Sequence, residues 1–219
     1  MDDTEEATTQ NSTVEQWTKA LARSTGSPGG GAGAGLMLAV AASLTSMVAG
    51  YTEPEEHTRA QLSRIRDQAQ VLRTDALRLA DEDASASRAF GAAFRLEPGP
   101  DRESAISRAS IEAAKASAVL GMRATDAIDS LAWLAVHGNR ALVADIVVAF
   151  GSLRATVTGA RTNVSFDLAA LSSGGGTPEL TRQQHPSLWA TVGALNAALD
   201  RIDALTGEID HLAAPTDAE

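Results

Sequence analysis

A chain of 219 residues without a single Cys suits one domain, long enough to bury an ordinary core with no disulfide or structural metal. Apolar residues make up 44% and charged residues 21%, the proportions of a globular chain, and the missing thiols remove disulfides, thiolate zinc sites, iron–sulfur clusters and cysteine nucleophiles together. A net charge of −10, with Lys19 and Lys115 the only lysines, argues against a nucleic-acid partner, whose phosphates the overall field repels. The four histidines (His57, His137, His185 and His211) share no i,i+3 or i,i+4 spacing, so no metal site is expected.

The acidic opening Met1-Asp2-Asp3-Thr4-Glu5-Glu6 is the opposite of a secretory leader. The most apolar stretch, 36–49, is shorter than the roughly 20 residues that a bilayer needs. A cytoplasmic chain with no membrane segment is expected.

Abundant Ala, 4% aromatic residues and no alternating β-branched runs predict an all-α fold. Residues 1–12 lack apolar periodicity and read as a disordered acidic N-terminus. A short helix near 13–23 carries Val14, Trp17 and Leu21. The turn Ser24-Thr25-Gly26-Ser27-Pro28-Gly29-Gly30-Gly31 then feeds a small-residue apolar helix over 32–50. A third helix near 54–94 shows a stripe of Leu62, Ile65, Ala69, Leu72, Ala76, Leu79, Asp83, Ala86 and Phe90. Glu97-Pro98-Gly99-Pro100 ends it, and a fourth helix covers about 101–136. A fifth runs over about 140–170 after the turn His137-Gly138-Asn139, and Ser172-Ser173-Gly174-Gly175-Gly176 follows as a flexible loop. The last helix repeats Leu188, Val192, Leu195, Leu199, Ile202, Leu205, Ile209 and Leu212 in near-heptad steps, which suits packing on a neighbour or a second subunit. The expectation is a single-domain antiparallel helical bundle of five or six helices over 13–213, with a tail at 214–219.

Four places could carry chemistry. Glycines at 29–31 entering a helix can form an anion site from free N–H groups and the helix dipole, although a close helix crossing is the commoner meaning. Asp83 sits on an apolar stripe, where partial desolvation raises a carboxyl pKa toward the range useful for proton transfer; pairing with an Arg from another helix, or a stripe that opens to water at this turn, is the alternative. Asp81 points about 200° away on the same helix, so the two form no facing dyad. On the fifth helix Asp145, Ala149, Ser152, Thr156, Gly159 and Asn163 form a small polar face, either a close helix contact or, with Asp145 and Asn163 bracketing it, the wall of a polar cleft. Finally, Glu53-Pro54-Glu55-Glu56-His57 reads as an acidic helix start.

Together, Ser27-Pro28-Gly29-Gly30-Gly31, Ser43-Leu44-Thr45-Ser46-Met47-Val48, Leu79-Ala80-Asp81-Glu82-Asp83-Ala84, Gly138-Asn139 with Asp145 six residues on, and Asn163-Val164 resemble the formimidoyltetrahydrofolate cyclodeaminase / methenyltetrahydrofolate cyclohydrolase family, in order and spacing over 14–168. The resemblance implies an all-α homodimer that binds a one-carbon-substituted tetrahydrofolate in a cleft between helices, with no metal or redox cofactor required. It implies formimidoyl deamination with ring closure, or methenyl ring hydrolysis, by carboxylate acid/base catalysis. Asp83 is then the catalytic group and Asp81 the fallback; Gly29, Gly30 and Gly31 bind ligand through backbone N–H groups, with Asp145 and Asn163 lining the cleft. Four departures accompany it: Ala32 for Ser, Glu53-Pro54-Glu55-Glu56 for a basic segment, Ser87 for an aromatic, and Phe166-Asp167 for Ile-Asn. They leave room for a relative recruited to an amidine, imine or cyclisation reaction on another substrate, or for a non-catalytic dimer that binds a small molecule or partner.

Overall fold

The helix richest in small residues organises the rest. The computed structural model describes residues 7–173 and 177–213; the expectations for 1–6, for the glycines at 174–176 and for the tail at 214–219 lie outside the described residues. In chain order the helices are α1 (Val14–Leu21), α2 (Gly30–Tyr51), α3 (Arg59–Phe94), α4 (Pro100–Thr125), α5 (Ile128–His137), a 3-10 turn (Arg140–Leu142), α6 (Val143–Ser173), α7 (Pro178–Gln184) and α8 (Pro186–Ala213). Among the described residues there is no strand, and the all-α expectation holds.

Among the described residues there are eight α-helices, because two of the expected ones are broken. Pro186 has no N–H and pushes His185 out of the helical region, to φ −127° and ψ 54°, which divides the last helix into α7 and α8. The fourth breaks at Asp126-Ala127, where the Ala127 N–H turns back to the Ala124 carbonyl at 3.2 Å; neither Pro nor Gly marks the place. The acidic helix start is also corrected. Glu53, Glu55 and Glu56 are exposed ahead of α3, whose first turn holds no acidic residue.

Small residues set the register. A Cβ at Gly35 would stand 2.7 Å from the Ala80 Cβ, so α2 and α3 touch nearly backbone to backbone. Gly159 of α6 abuts Ala34, and the Thr156 hydroxyl donates to the Ala34 carbonyl at 2.9 Å. At the other end of α2, the Asn139 N–H donates to Thr52 Oγ1 at 3.0 Å and its side-chain amide to the Tyr51 carbonyl at 3.1 Å. These contacts make α2 antiparallel to both α3 and α6. Gly121 of α4 meets Ala160 of α6 and Leu195 of α8, closing the ring α3–α2–α6–α4 with α8 laid over it.

The core so enclosed holds Leu38, Ile65, Leu120, Leu131, Phe150, Leu153 and Ile202, all but inaccessible. Each such side chain stabilises the fold by roughly 1.5–3 kcal/mol relative to exposure. In α8, Leu188, Leu195, Ile202 and Ile209 are buried against this chain's own helices.

The membrane arithmetic needs a correction as well. α2 runs for 22 residues at a mean hydropathy of 1.7, and Arg140–Leu171 reaches 1.6, so both are long and apolar enough to cross a bilayer by length and composition. Within the bundle, 56% of the apolar window of α2 is buried, because the helix lies between α3 and α6.

Candidate functional site

The first turn of any α-helix leaves backbone N–H groups without intrahelical partners. In α2 that turn is Gly30, Gly31 and Ala32, with Gly29 as the capping residue, preceded by a cis Ser27–Pro28 bond. Three other helices converge on this end.

From α3 comes Asp83, 5% exposed. A Cβ on Gly31 would lie 2.2 Å from Asp83 Oδ1 and 2.3 Å from Oδ2, so the carboxylate occupies the space that only glycine leaves free. Ser117 of α4 donates to Oδ1 at 3.4 Å. The Ala32 backbone N–H and the Ser87 hydroxyl also face this carboxylate and favour its charged form. Oδ2 is buried and has no hydrogen-bond partner. Burial pushes the Asp83 pKa up; the donors from Ser117, Ala32 and Ser87 pull against it without cancelling it.

From α6 comes a second carboxylate. With Ala34 against Gly159 and the helices antiparallel, Asn163 falls level with Gly30, and Asp167 lies one turn beyond the start of α2. Asp167 is 7% exposed. Burial, and after it the charge of Asp83, raises its pKa to about 7. Among the described residues no ion pair joins either carboxylate to an Arg or Lys.

The structure therefore groups Gly29, Gly30, Gly31, Asp83 and Asn163 and sets two predicted residues apart. Asp81 faces the N-terminal segment, accepting from the Thr9 N–H at 2.6 Å and the Gln10 N–H at 3.4 Å. Residues 9–11 form a turn there, with Trp17 Nε1 donating to Thr9 Oγ1 at 3.0 Å. Asp145 is 18 residues before Asn163 on one helix, about 27 Å away, at the far end of α6. The small polar face between them is closed against α2 through Thr156 and Gly159, the close-contact reading of that spacing. Gly138-Asn139 is also structural. Besides the bonds of Asn139 to Thr52 and Tyr51, a Cβ on Gly138 would stand 2.4 Å from the Leu134 carbonyl oxygen.

Sequence reasoning missed Ser117, Ser87 and Asp167 as members of the site. Ser87 stood out only as the place of an absent aromatic, yet it lies one turn after Asp83 and favours its charged form. Asp167 carried a legible signal, being four residues beyond Asn163 and so on the same helix face. Glu53-Pro54-Glu55-Glu56 begins 22 residues past Gly31, about 33 Å along α2, and does not touch this end of the chain. A separate cleft of about 610 Å³, lined by Thr45, Asp67, Arg123, Asp126 and Asp129, lies about 24 Å down α3 from Asp83, and its Arg123 is paired with Asp75 and Asp126. Among the described residues no three His, Asp or Glu side chains gather as metal ligands.

Known proteins share this architecture. A solved structure, a formiminotetrahydrofolate cyclodeaminase from Thermotoga maritima, superposes with a TM-score of 0.76 at 22% identity, over 91% of this chain and 98% of the other. A methenyltetrahydrofolate cyclohydrolase from Methylorubrum extorquens is 29% identical over 194 residues, covering 85% of this chain and 93% of its own. The family profile described as formiminotransferase-cyclodeaminase matches residues 13–180, which takes in α1 to α6 and every residue gathered around Gly31, and the chain belongs to that family.

Proposed function

We propose that the protein acts on a one-carbon-substituted tetrahydrofolate, either expelling ammonia from a formimidoyl group with ring closure or opening a methenyl ring with water. The observation that carries this reading is the buried Asp83 carboxylate packed onto Gly31 at the head of α2, within the fold of this family. Both reactions turn on one amidine-like carbon. A nucleophile, ring nitrogen or water, adds to it and gives up a proton; a nitrogen then leaves and takes one. A carboxyl whose pKa is lifted toward neutrality is matched to that traffic, and burial lifts that of Asp83. No redox group or Lewis acid enters the chemistry, so the reading calls for no cofactor besides the folate. Gly29 and Gly30 leave open space beside the first-turn N–H groups, where an anionic or carbonyl edge of the substrate can dock.

The same reading takes the protein as a cytoplasmic enzyme and a homodimer. One face of α6, from Ala144 through Val148, Gly151, Ala155 and Thr162 to Phe166, is exposed and nearly uncharged. A second copy of the chain is the occupant that suits it.

The test begins with thermal melting of the purified protein with and without saturating folate derivatives. Stabilisation is expected for the methenyl or formimidoyl form, and methenyl absorbance then reports which reaction runs. Asp83→Asn should keep the fold and lose about 10²–10⁴-fold in kcat. Unchanged melting with every folate sinks the proposal and directs the search to other amidine- or imine-bearing substrates.

A further inference from the structure

We propose that the groove between the N-terminal turn and α1 binds the carboxylates of an oligo-γ-glutamyl tail, held by Lys19 and Arg23. For the identity of the tail this rests on the folate reading above; for the positive charge of the groove it does not. The groove encloses about 640 Å³, with Thr8, Asn11 and Ser12 from the turn side and Lys19 and Arg23 from the helix side. Among the described residues no carboxylate lines it. Lys19 and Arg23 are four residues apart, so their charges stand one turn from each other on one face. The Thr8 hydroxyl accepts from the Asn11 N–H at 3.3 Å and keeps its own proton to donate.

The two cations have no anion of their own. Arg78, Lys115, Arg123, Arg154 and Arg201 each meet a carboxylate elsewhere in the fold. Among the described residues Lys19 and Arg23 do not, in a chain whose net charge is −10. Glu15 stands one turn before Lys19 on α1 and makes no ion pair with it, and Asp81 directs its oxygens to the Thr9 and Gln10 N–H groups. The C-terminal end of α1 also favours a cation, but it carries only about half a negative charge against two full positive ones. The groove therefore stays positive.

An open track joins it to the head of α2. From Arg23 the chain runs through exposed residues 24–26 to Gly29 and Gly30, and a Cβ on Gly26, Gly29 or Gly30 would meet nothing within 4 Å. The groove is also fixed relative to the site. The Thr9 N–H donates to Asp81, two residues before Asp83, and Trp17 of α1 is buried against Ala32, Ala80 and Ala84. Asp81 and Asp83 project to opposite sides of α3, which sets the groove about a helix diameter, ~10–12 Å, from the reacting end. In a folate an aminobenzoyl ring separates the one-carbon unit from the first glutamate. Each further γ-linked residue reaches beyond the ~3.3–3.6 Å of an ordinary extended residue. A tail of two or three glutamates arrives where Lys19 and Arg23 stand, with one carboxylate per residue and one more at its end. Glu53-Pro54-Glu55-Glu56, in place of a basic segment, offers such a tail no cation.

The experiment uses the full chain with free γ-linked triglutamate, and with mono- and triglutamyl forms of the folate substrates. Triglutamate should raise the melting temperature of the wild type but not that of Lys19→Gln/Arg23→Gln, a change at two exposed side chains. In turnover, the triglutamyl form should have a KM about 2–30-fold below the monoglutamyl form, the range of two exposed ion pairs. The double variant should erase that ratio, Lys19→Arg/Arg23→Lys should keep it, and rising salt should shrink it. Triglutamate that protects wild type and double variant alike, or a KM ratio that survives in the double variant, overturns the proposal. So does equal protection by inorganic phosphate at matched ionic strength, which marks a surface open to any anion. Binding that appears only once Asp2, Asp3, Glu5 and Glu6 are changed to their amides assigns the groove to the chain's own acidic opening and overturns it too. If the wild type turns over neither folate while triglutamate still protects it through Lys19 and Arg23, the substrate reading falls and the groove stands.

Discussion

Asp167 ties the stability of the molecule to pH. Its pKa of about 7 in the folded chain, against an ordinary carboxylate value near 4 in the unfolded one, means that the native state binds the extra proton between those two pH values. Stability therefore falls as pH rises through that window, and the raised pKa of Asp83 adds in the same direction. Urea unfolding at pH 4, 6 and 8 should show the wild type losing ground, up to roughly 4 kcal/mol from Asp167 alone. Asp167→Asn should flatten most of that slope; parallel pH curves for the two proteins would defeat the assignment. Asp83 was legible in the sequence because it interrupts an apolar stripe, and its burial follows from that stripe alone. The partnership was not legible. Whether the charge of Asp83 is felt at Asp167 depends on how far α6 slides along α2, and that is set by Gly159 against Ala34, a contact between residues 125 apart.

At the scale of helices, the glycines of α2 divide by what they face, and the division is testable. Gly35→Ala puts a Cβ 2.7 Å from the Ala80 Cβ and 3.0 Å from its Cα, so α2 and α3 must part. Overpacking of this kind costs about 1–3 kcal/mol, and it should lower kcat as well, because the Gly31–Asp83 contact is one turn away on the same seam. Gly33→Ala meets open space and should raise stability by about 0.5–1 kcal/mol through helix propensity. Equal effects of the two in chemical denaturation would contradict the register described. Periodicity located α3 and α8, since a stripe of apolar residues survives whatever the helix packs against, whereas α2 was legible from its run of small apolar residues alone. It did not reveal the break at Asp126-Ala127, where local residue types continue to favour helix and only tertiary packing ends it. Pro186 marks the other break, since it has no N–H with which to continue α7 into α8.

For the whole molecule, the apolar face of α6 carries the expectation. Val148 is 56% exposed and Phe166 68%, on a helix of high mean hydropathy. Light scattering coupled to size exclusion should give a dimer, and Val148→Glu should shift it toward monomer; a wild-type monomer throughout the micromolar range rules out the second copy. The Trp17 side chain has a consequence of another kind. It is buried against Ala32, Ala80 and Ala84, within one helical turn of Asp83 along α3, whereas Trp133 stacks on His137 and Trp189 stands at the surface. The chain thus carries its own fluorophore beside the buried Asp83 carboxyl. Its emission reports on the beginning of the chain and the head of α2 at once, so a tag or truncation that loosens Thr9 from Asp81 would register in the light emitted there before any assay of turnover.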